Sequence, residues 1–213
     1  GRTAWCDKPY LGGNDEYGIP VCTDEDIENA MAFCKEHGCQ LSIHAMGART
    51  IDRAIAHTWQ QEPWVKGCAP SIRMEHVAMP TQDAIEKAAR SGIAFVTQPI
   101  FLYAEIESYL VNMGLERTQE NYPIADWIKA GVRFAFSTDA PATAWAQPSD
   151  PFVCLKGAVT RKAYDGTDCG QEQGVDIETA LILYTREAGE MAGFDRLGQL
   201  KEGFKADLIS INL

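Results

Sequence analysis

The chain has 213 residues, 46% hydrophobic and 23% charged, the ordinary balance of a globular protein. A net charge of -11 is the wrong sign for a nucleic-acid partner, and no apolar run is long enough to span a bilayer. Seven cysteines, an odd number with no Cys-x-x-Cys pair, exclude a zinc ribbon and a thioredoxin-like motif and read as reduced thiols of a cytoplasmic protein.

The sequence opens at Gly1 without methionine and stops at Leu213 inside a strand-like run, so both ends read as cut. Residues 1–22 are rich in turn signals and either fold over a site or join two elements. Thr23 is an N-cap with Asp24, Glu25 and Asp26 in the first turn. Ile27, Ala30, Met31 and Cys34 then give the helix an apolar face, and Gly38 ends it. Cys39 to Ala45 is a short strand. Gly47 opens a helix with inner residues Ile51, Ala54, Ile55 and Thr58. Ser71 to Val77 is a strand, Thr81 caps a helix stopped by Gly92, and Ile93 to Thr97 is a strand ended by Gln98-Pro99. Residues 100–120 form a less regular excursion. Pro123 to Ala130 is a short helix, and Gly131 turns the chain into the strand beginning at Val132. Beyond Pro141, a polar loop holds a helix near Phe152 to Thr160, and Asp176 caps a longer one. Residues 197–209 read as a hairpin of two short strands.

Alternation of short strands and amphipathic helices predicts a parallel α/β fold. No glycine-rich phosphate fingerprint follows any strand, which disfavours a nucleotide-binding doubly wound sheet. A full (β/α)8 barrel takes eight strand–helix units, so the four units here predict the second half of one, strands 5 to 8.

Charged and metal-ligating residues gather at the carboxyl ends of these strands, where parallel α/β folds build their sites. His44 ends one strand, His76 the next, and Asp139 the last. Each has a plainer reading: a histidine satisfied by backbone, or an aspartate capping a turn. Together, two imidazoles and a carboxylate suit zinc or another divalent metal, with Asp139 also able to take a proton from an activated water. Gln98 and Arg73 are candidate substrate contacts, against loop capping for Gln98 and an Arg73–Glu75 ion pair. Glu75 alternates with His76 and is expected to point away from the site. His37 and His57 fall on helices, away from it. Residues 100–120 and the loop of 141–150 with Trp145 are expected at the pocket mouth.

His44-Ala45-Met46-Gly47, Arg73-Met74-Glu75-His76, Ser137-Thr138-Asp139-Ala140-Pro141 and Gly203-Phe204-Lys205-Ala206-Asp207-Leu208 together resemble the metal-dependent amidohydrolase superfamily. Arg2-Thr3-Ala4 and Pro9-Tyr10 resemble its amidohydrolase-3 branch, which includes N-substituted formamide deformylases. The resemblance implies a distorted TIM barrel (residues 1–196) and the return strands of a small β-sandwich (197–213). It implies His44, His76 and Asp139 as metal ligands, Asp139 as general base, one or two zinc ions, and hydrolysis of an amide or other non-peptide C–N bond of a small molecule. A deaminase, a phosphoester hydrolase and a non-catalytic binding protein are the alternatives on this scaffold. The branch's first-strand His-x-His and strand-4 bridging ligand are missing and would precede Gly1, which makes an N-terminal half of the same protein the expected partner. Neither nucleic acid nor membrane is expected as a partner, and a homodimer is. Ala48 departs from the branch, where an acidic residue is common. The 213-residue chain alone is therefore expected to bind metal poorly and to be inactive; stoichiometric tight zinc with hydrolytic turnover by this chain would contradict that.

Overall fold

The structure is a computed structural model and describes residues 1–210. Four strands carry it: β1 (Leu41–Met46), β2 (Ile72–Ala78), β3 (Ala94–Thr97) and β4 (Phe134–Phe136). They pair in parallel and in chain order. Ahead of β1 lies α1 (Asp24–His37). The crossovers are α2 (Ala48–Thr58), then α3 (Gln82–Ser91), then α4 (Ile100–Ala104), α5 (Ile106–Gln119) and α6 (Ile124–Ala130). Because strand order follows chain order, successive crossovers of one hand lay their helices on one face of the sheet. This singly wound arrangement is that of a barrel wall; a doubly wound sheet reverses its order. After β4 come α7 (Pro151–Thr160), a 3-10 turn (Gln171–Gln173), α8 (Ile177–Ile182), a π-helical stretch (Leu183–Glu187) and α9 (Ala188–Met191). Among the described residues no helix is long and apolar enough to cross a membrane.

The helix ends follow local chemistry. Thr23 and Asp26 form a reciprocal capping box at α1, and Gly38 closes it in the left-handed region. Thr81, Asp150 and Asp176 cap α3, α7 and α8 by accepting from backbone N–H groups of the first turn.

Strand alternation divides the sheet into two faces. Ile72, Met74, Phe95, Phe134 and Phe136 meet Ile51 and Ile55 of α2, Ile85 of α3 and Trp127 of α6 in the main core. The Trp127 ring lies edge-on to Phe95 and Phe134, with centroids 5.3 and 5.4 Å away. The opposite face carries Ala94, Val96 and Ala135, over which Met191 of α9 packs as a separate small cluster. Ser42, Arg73 and Glu75 share this second face: Arg73 pairs with Glu75, and Ser42 Oγ donates to Glu75 Oε1 at 2.7 Å.

Three expectations need correction. Residues 100–120 are mostly helical, broken at Glu105 and again at Gly114, whose φ is 79°. The apolar face of α1 is largely uncovered: only Cys34 is buried, because the helix rests on α2 and β1 by one edge. The hairpin of 197–209 does not form; the described residues there run in turns and irregular backbone, with Leu200 and Ile209 at least 80% exposed. No described strand pairs with this segment, and a hairpin without a packing surface has little independent stability. Residues 211–213, the rest of the expected sandwich strands, lie outside the described residues.

A buried guanidinium ties the chain after β4 to the end of α5. Arg161, 2% exposed, donates to the carbonyls of Asn121, Tyr122, Cys169 and Gly170 at 2.7 to 3.3 Å. Burial pulls its pKa down to about 10. Replacing Arg161 with Met would strip the donor from the Asn121 and Cys169 carbonyls, while Tyr122 and Gly170 still accept from the N–H groups of Ile124 and Gln173, so Arg161→Met is expected to lower unfolding stability by about 2 kcal/mol or more, read by urea denaturation.

Candidate metal centre

The parallel sheet brings the carboxyl ends of its strands to one rim. On β1, His44 lies on the same face as Ser42, in register with Glu75 of β2. Regular alternation would send His76 to the other face, under the helices. Instead the ladder shifts: Ala45 pairs with His76 but Met46 with Ala78, and both His76 (φ 71°) and Val77 (φ 55°) are left-handed. This bulge brings the two imidazoles together, 4.5 Å between ring centroids and edge to face. It also overturns the expectation for Glu75, which lies on the His44 face with Arg73.

His76 is held from one side. Its Nδ1 bonds Gln98 Oε1 at 2.8 Å, and Gln98 Nε2 donates to Ser137 Oγ at 2.8 Å. With the amide oxygen toward it, Nδ1 carries the proton and the Nε2 lone pair remains for a metal. Gln98 is only 2% exposed, and both ends of its amide are engaged, by His76 and by Ser137. Arg73 bonds Glu75 through Nε and the Met191 carbonyl through Nη1 at 3.4 Å. The Arg73–Glu75 ion pair is the reading the geometry favours.

Asp139 follows β4 with a left-handed φ of 55°. With His44 and His76 it lines one cavity of about 420 Å³. Burial, and then the neighbouring His76, push the His44 pKa below the usual imidazole value; Asp139 and Glu75 pull the other way. A neutral imidazole is the form that ligates metal. In kind, then, two neighbouring imidazoles and a carboxylate on the same cavity fit a divalent cation. In number they fall short: among the described residues no three His, Cys, Asp or Glu side chains are gathered closely enough to hold an ion.

The N-terminal segment walls the cavity. Thr3, Ala4 and Tyr10 line it. Arg2 straps the segment to α5 through Asn112 Oδ1, and the Trp5 carbonyl accepts from the Arg49 N–H of α2. Gly47, with φ 90°, permits this approach: a Cβ there would meet the Trp5 carbonyl oxygen at 2.5 Å. Ala48 begins α2 buried, so no carboxylate stands at that helix start. From the excursion after β3, Phe101, Glu105, Ser108 and Tyr109 reach the cavity. Trp145 packs against Tyr103 and Tyr164 instead. The other two histidines stay apart, His37 stacked on Phe33 and His57 beside Asp24 and Glu28.

Comparison with known proteins decides the family, because residues 1–212 match the family model described as "Amidohydrolase family". The chain belongs to the amidohydrolase family. It is 26% identical over 211 residues to the putative amidohydrolase YtcJ of Bacillus subtilis (strain 168), covering 97% of this chain and 39% of that protein. It superposes on an uncharacterized metal-dependent hydrolase from Pyrococcus horikoshii OT3 with a TM-score of 0.78 and 27% identity, over 96% of this chain and 40% of that one. The zinc complex of atrazine chlorohydrolase TrzN from Arthrobacter aurescens TC1 shares the fold alone, at TM-score 0.60 and 18% identity, over 89% of this chain and 39% of that one. The chain thus spans about two fifths of the length of these relatives. For an amidohydrolase, four parallel strands in chain order are part of the barrel wall.

Two residues at the site had no individual reading in the sequence: Ser137, which accepts from Gln98, and Glu105, which lines the cavity. A signal for Gln98 was present: a glutamine ending a fully buried strand needs partners for both ends of its amide, and the adjacent strand ends offer His76 and Ser137. Gln98→Leu keeps the bulk and removes both bonds. It is expected to weaken metal affinity of the complete protein by roughly 10- to 100-fold, measured by chelator competition.

Proposed function

We propose that the protein to which this chain belongs is a metal-dependent hydrolase of an amide or other non-peptide C–N bond in a small molecule. The observation that carries this reading is the His44–His76 pair, held by Gln98 on the cavity that Asp139 also lines. His44 and His76 would hold a divalent metal, zinc by preference for two imidazoles and a carboxylate, and further ligands would come from outside this chain. When bound, such a metal lowers the pKa of water toward neutrality and polarises a carbonyl.

The chain's own residues do the rest. Gln98 keeps the His76 proton on Nδ1, so the ring presents one lone pair in one orientation. The Asp139 carboxylate takes a proton from the attacking water and returns it to the leaving nitrogen. Water is consumed, the C–N bond breaks, and an acid and an amine are released. Tyr10, Met46 and Phe101 give the cavity apolar walls that displace solvent around the reacting group.

Asp139→Asn retains shape and hydrogen bonding but removes the base. In the metal-loaded complete protein it is expected to lower kcat by about 10²- to 10⁴-fold while metal content changes far less. Unchanged kcat, assayed across N-formyl amines, N-acyl amino acids, cyclic amides and aminopurines, would refute this role. Turnover of aminopurines alone would move the reading to a deaminase.

A further inference from the structure

The same cavity contains a second carboxylate that the reaction does not use. Glu105 stands at the break between α4 and α5, where the backbone leaves helical geometry at φ -117°, ψ 24°. Its Oε1 accepts from the Ala144 N–H at 3.2 Å, which ties the loop beyond Asp139 to this junction. Its Oε2 takes no hydrogen bond from a described residue, and the side chain lines the cavity.

Three other polar side chains on that wall are committed. The Tyr10 hydroxyl donates to the Ala4 carbonyl, and the Tyr109 hydroxyl is shared with Tyr122. Asn112 donates to the Ser108 carbonyl and accepts from Arg2. No lysine or arginine side chain lines the cavity. Glu105 therefore has an acceptor oxygen that no described residue occupies, and no lysine or arginine side chain among the described residues faces it across the cavity.

Its position relative to the reaction is set by α4. Phe101 stacks on the His76 ring, 5.6 Å between centroids and 21° between planes. Glu105 follows four residues later and donates its N–H to the Phe101 carbonyl, so it sits one helical turn, about 5.4 Å, further along. An aromatic surface faces the reacting end, and a carboxylate waits one turn beyond it.

We propose that Glu105 is a specificity-determining residue that selects substrates carrying an ammonium or amidinium group several bonds from the scissile C–N bond. This deepens the hydrolase reading and rests on it for the scissile bond, but recognition by Glu105 can be measured by binding alone. A charge-assisted hydrogen bond in a partly dehydrated cavity is worth roughly 10- to 100-fold in affinity over a neutral contact.

The test uses the complete metal-loaded protein and two probes of matched length, N-acetylcadaverine and N-hexylacetamide, with affinities read by calorimetry and turnover by amine release. The wild type is expected to bind the cationic probe at least 10-fold more tightly. Glu105→Gln keeps an acceptor for Ala144 but loses the charge, and is expected to bring the ratio of affinities close to one. Equal affinities in the wild type, no binding of either probe, or a preference that survives in Glu105→Gln would overturn the proposal. So would a variant that loses both probes alike, since that is a structural effect on the 140s loop. A charge preference without turnover of either probe supports Glu105 and counts against the hydrolase reading. Turnover of the neutral probe without preference supports the hydrolase and overturns Glu105.

Discussion

Everything at the rim depends on one hydrogen-bonded chain, His76 to Gln98 to Ser137, which crosses the ends of three consecutive strands. A buried amide with an unmet end costs a few kcal/mol. The chain therefore holds only if β2, β3 and β4 lie side by side in that order, with their ends level. Parallel pairing supplies this, with Val96 and Thr97 opposite Ala135 and Phe136, and the helices packed over one face hold the strands in place. The fold is in this sense the support of one imidazole's orientation.

Backbone strain collects at the same place. His76, Val77 and Asp139 are all left-handed, a conformation costly for residues with a Cβ and most costly for a β-branched one. Such conformations persist where the surroundings leave no alternative. Val77 is fully buried, and His76 is fixed by Gln98 on one side and by Phe101 on the other. The strain is what brings His76 beside His44, against the alternation of its own strand.

Much of the fold was legible because its signals are local. Thr23, Thr81 and Asp176 cap helices where hydroxyl or carboxylate oxygens can meet first-turn N–H groups. Ile51, Ala54, Ile55 and Thr58 of α2 are all buried, as their spacing requires. The site residues were legible as strand ends, since a polar residue after an apolar run has one place to go in a parallel sheet. Glu75 was misread because parity counting assumes an unbroken ladder, and a bulge leaves no mark when neither residue is glycine. The helices of 100–119 were missed because their breaks at Glu105 and Gly114 scramble the 3.6-residue period.

The sequence by itself determined the four strands, most of the helices between them, their alternation and the three candidate ligands, because capping, periodicity and strand ends are properties of neighbours in the chain. Only the tertiary structure decided which side chains meet. It paired His44 with His76 through a bulge, bonded Gln98 to His76, and set Glu105 on the cavity wall with one oxygen free. These relations join residues far apart in the chain. They follow from strand register and helix packing, to which no short window of residues has access.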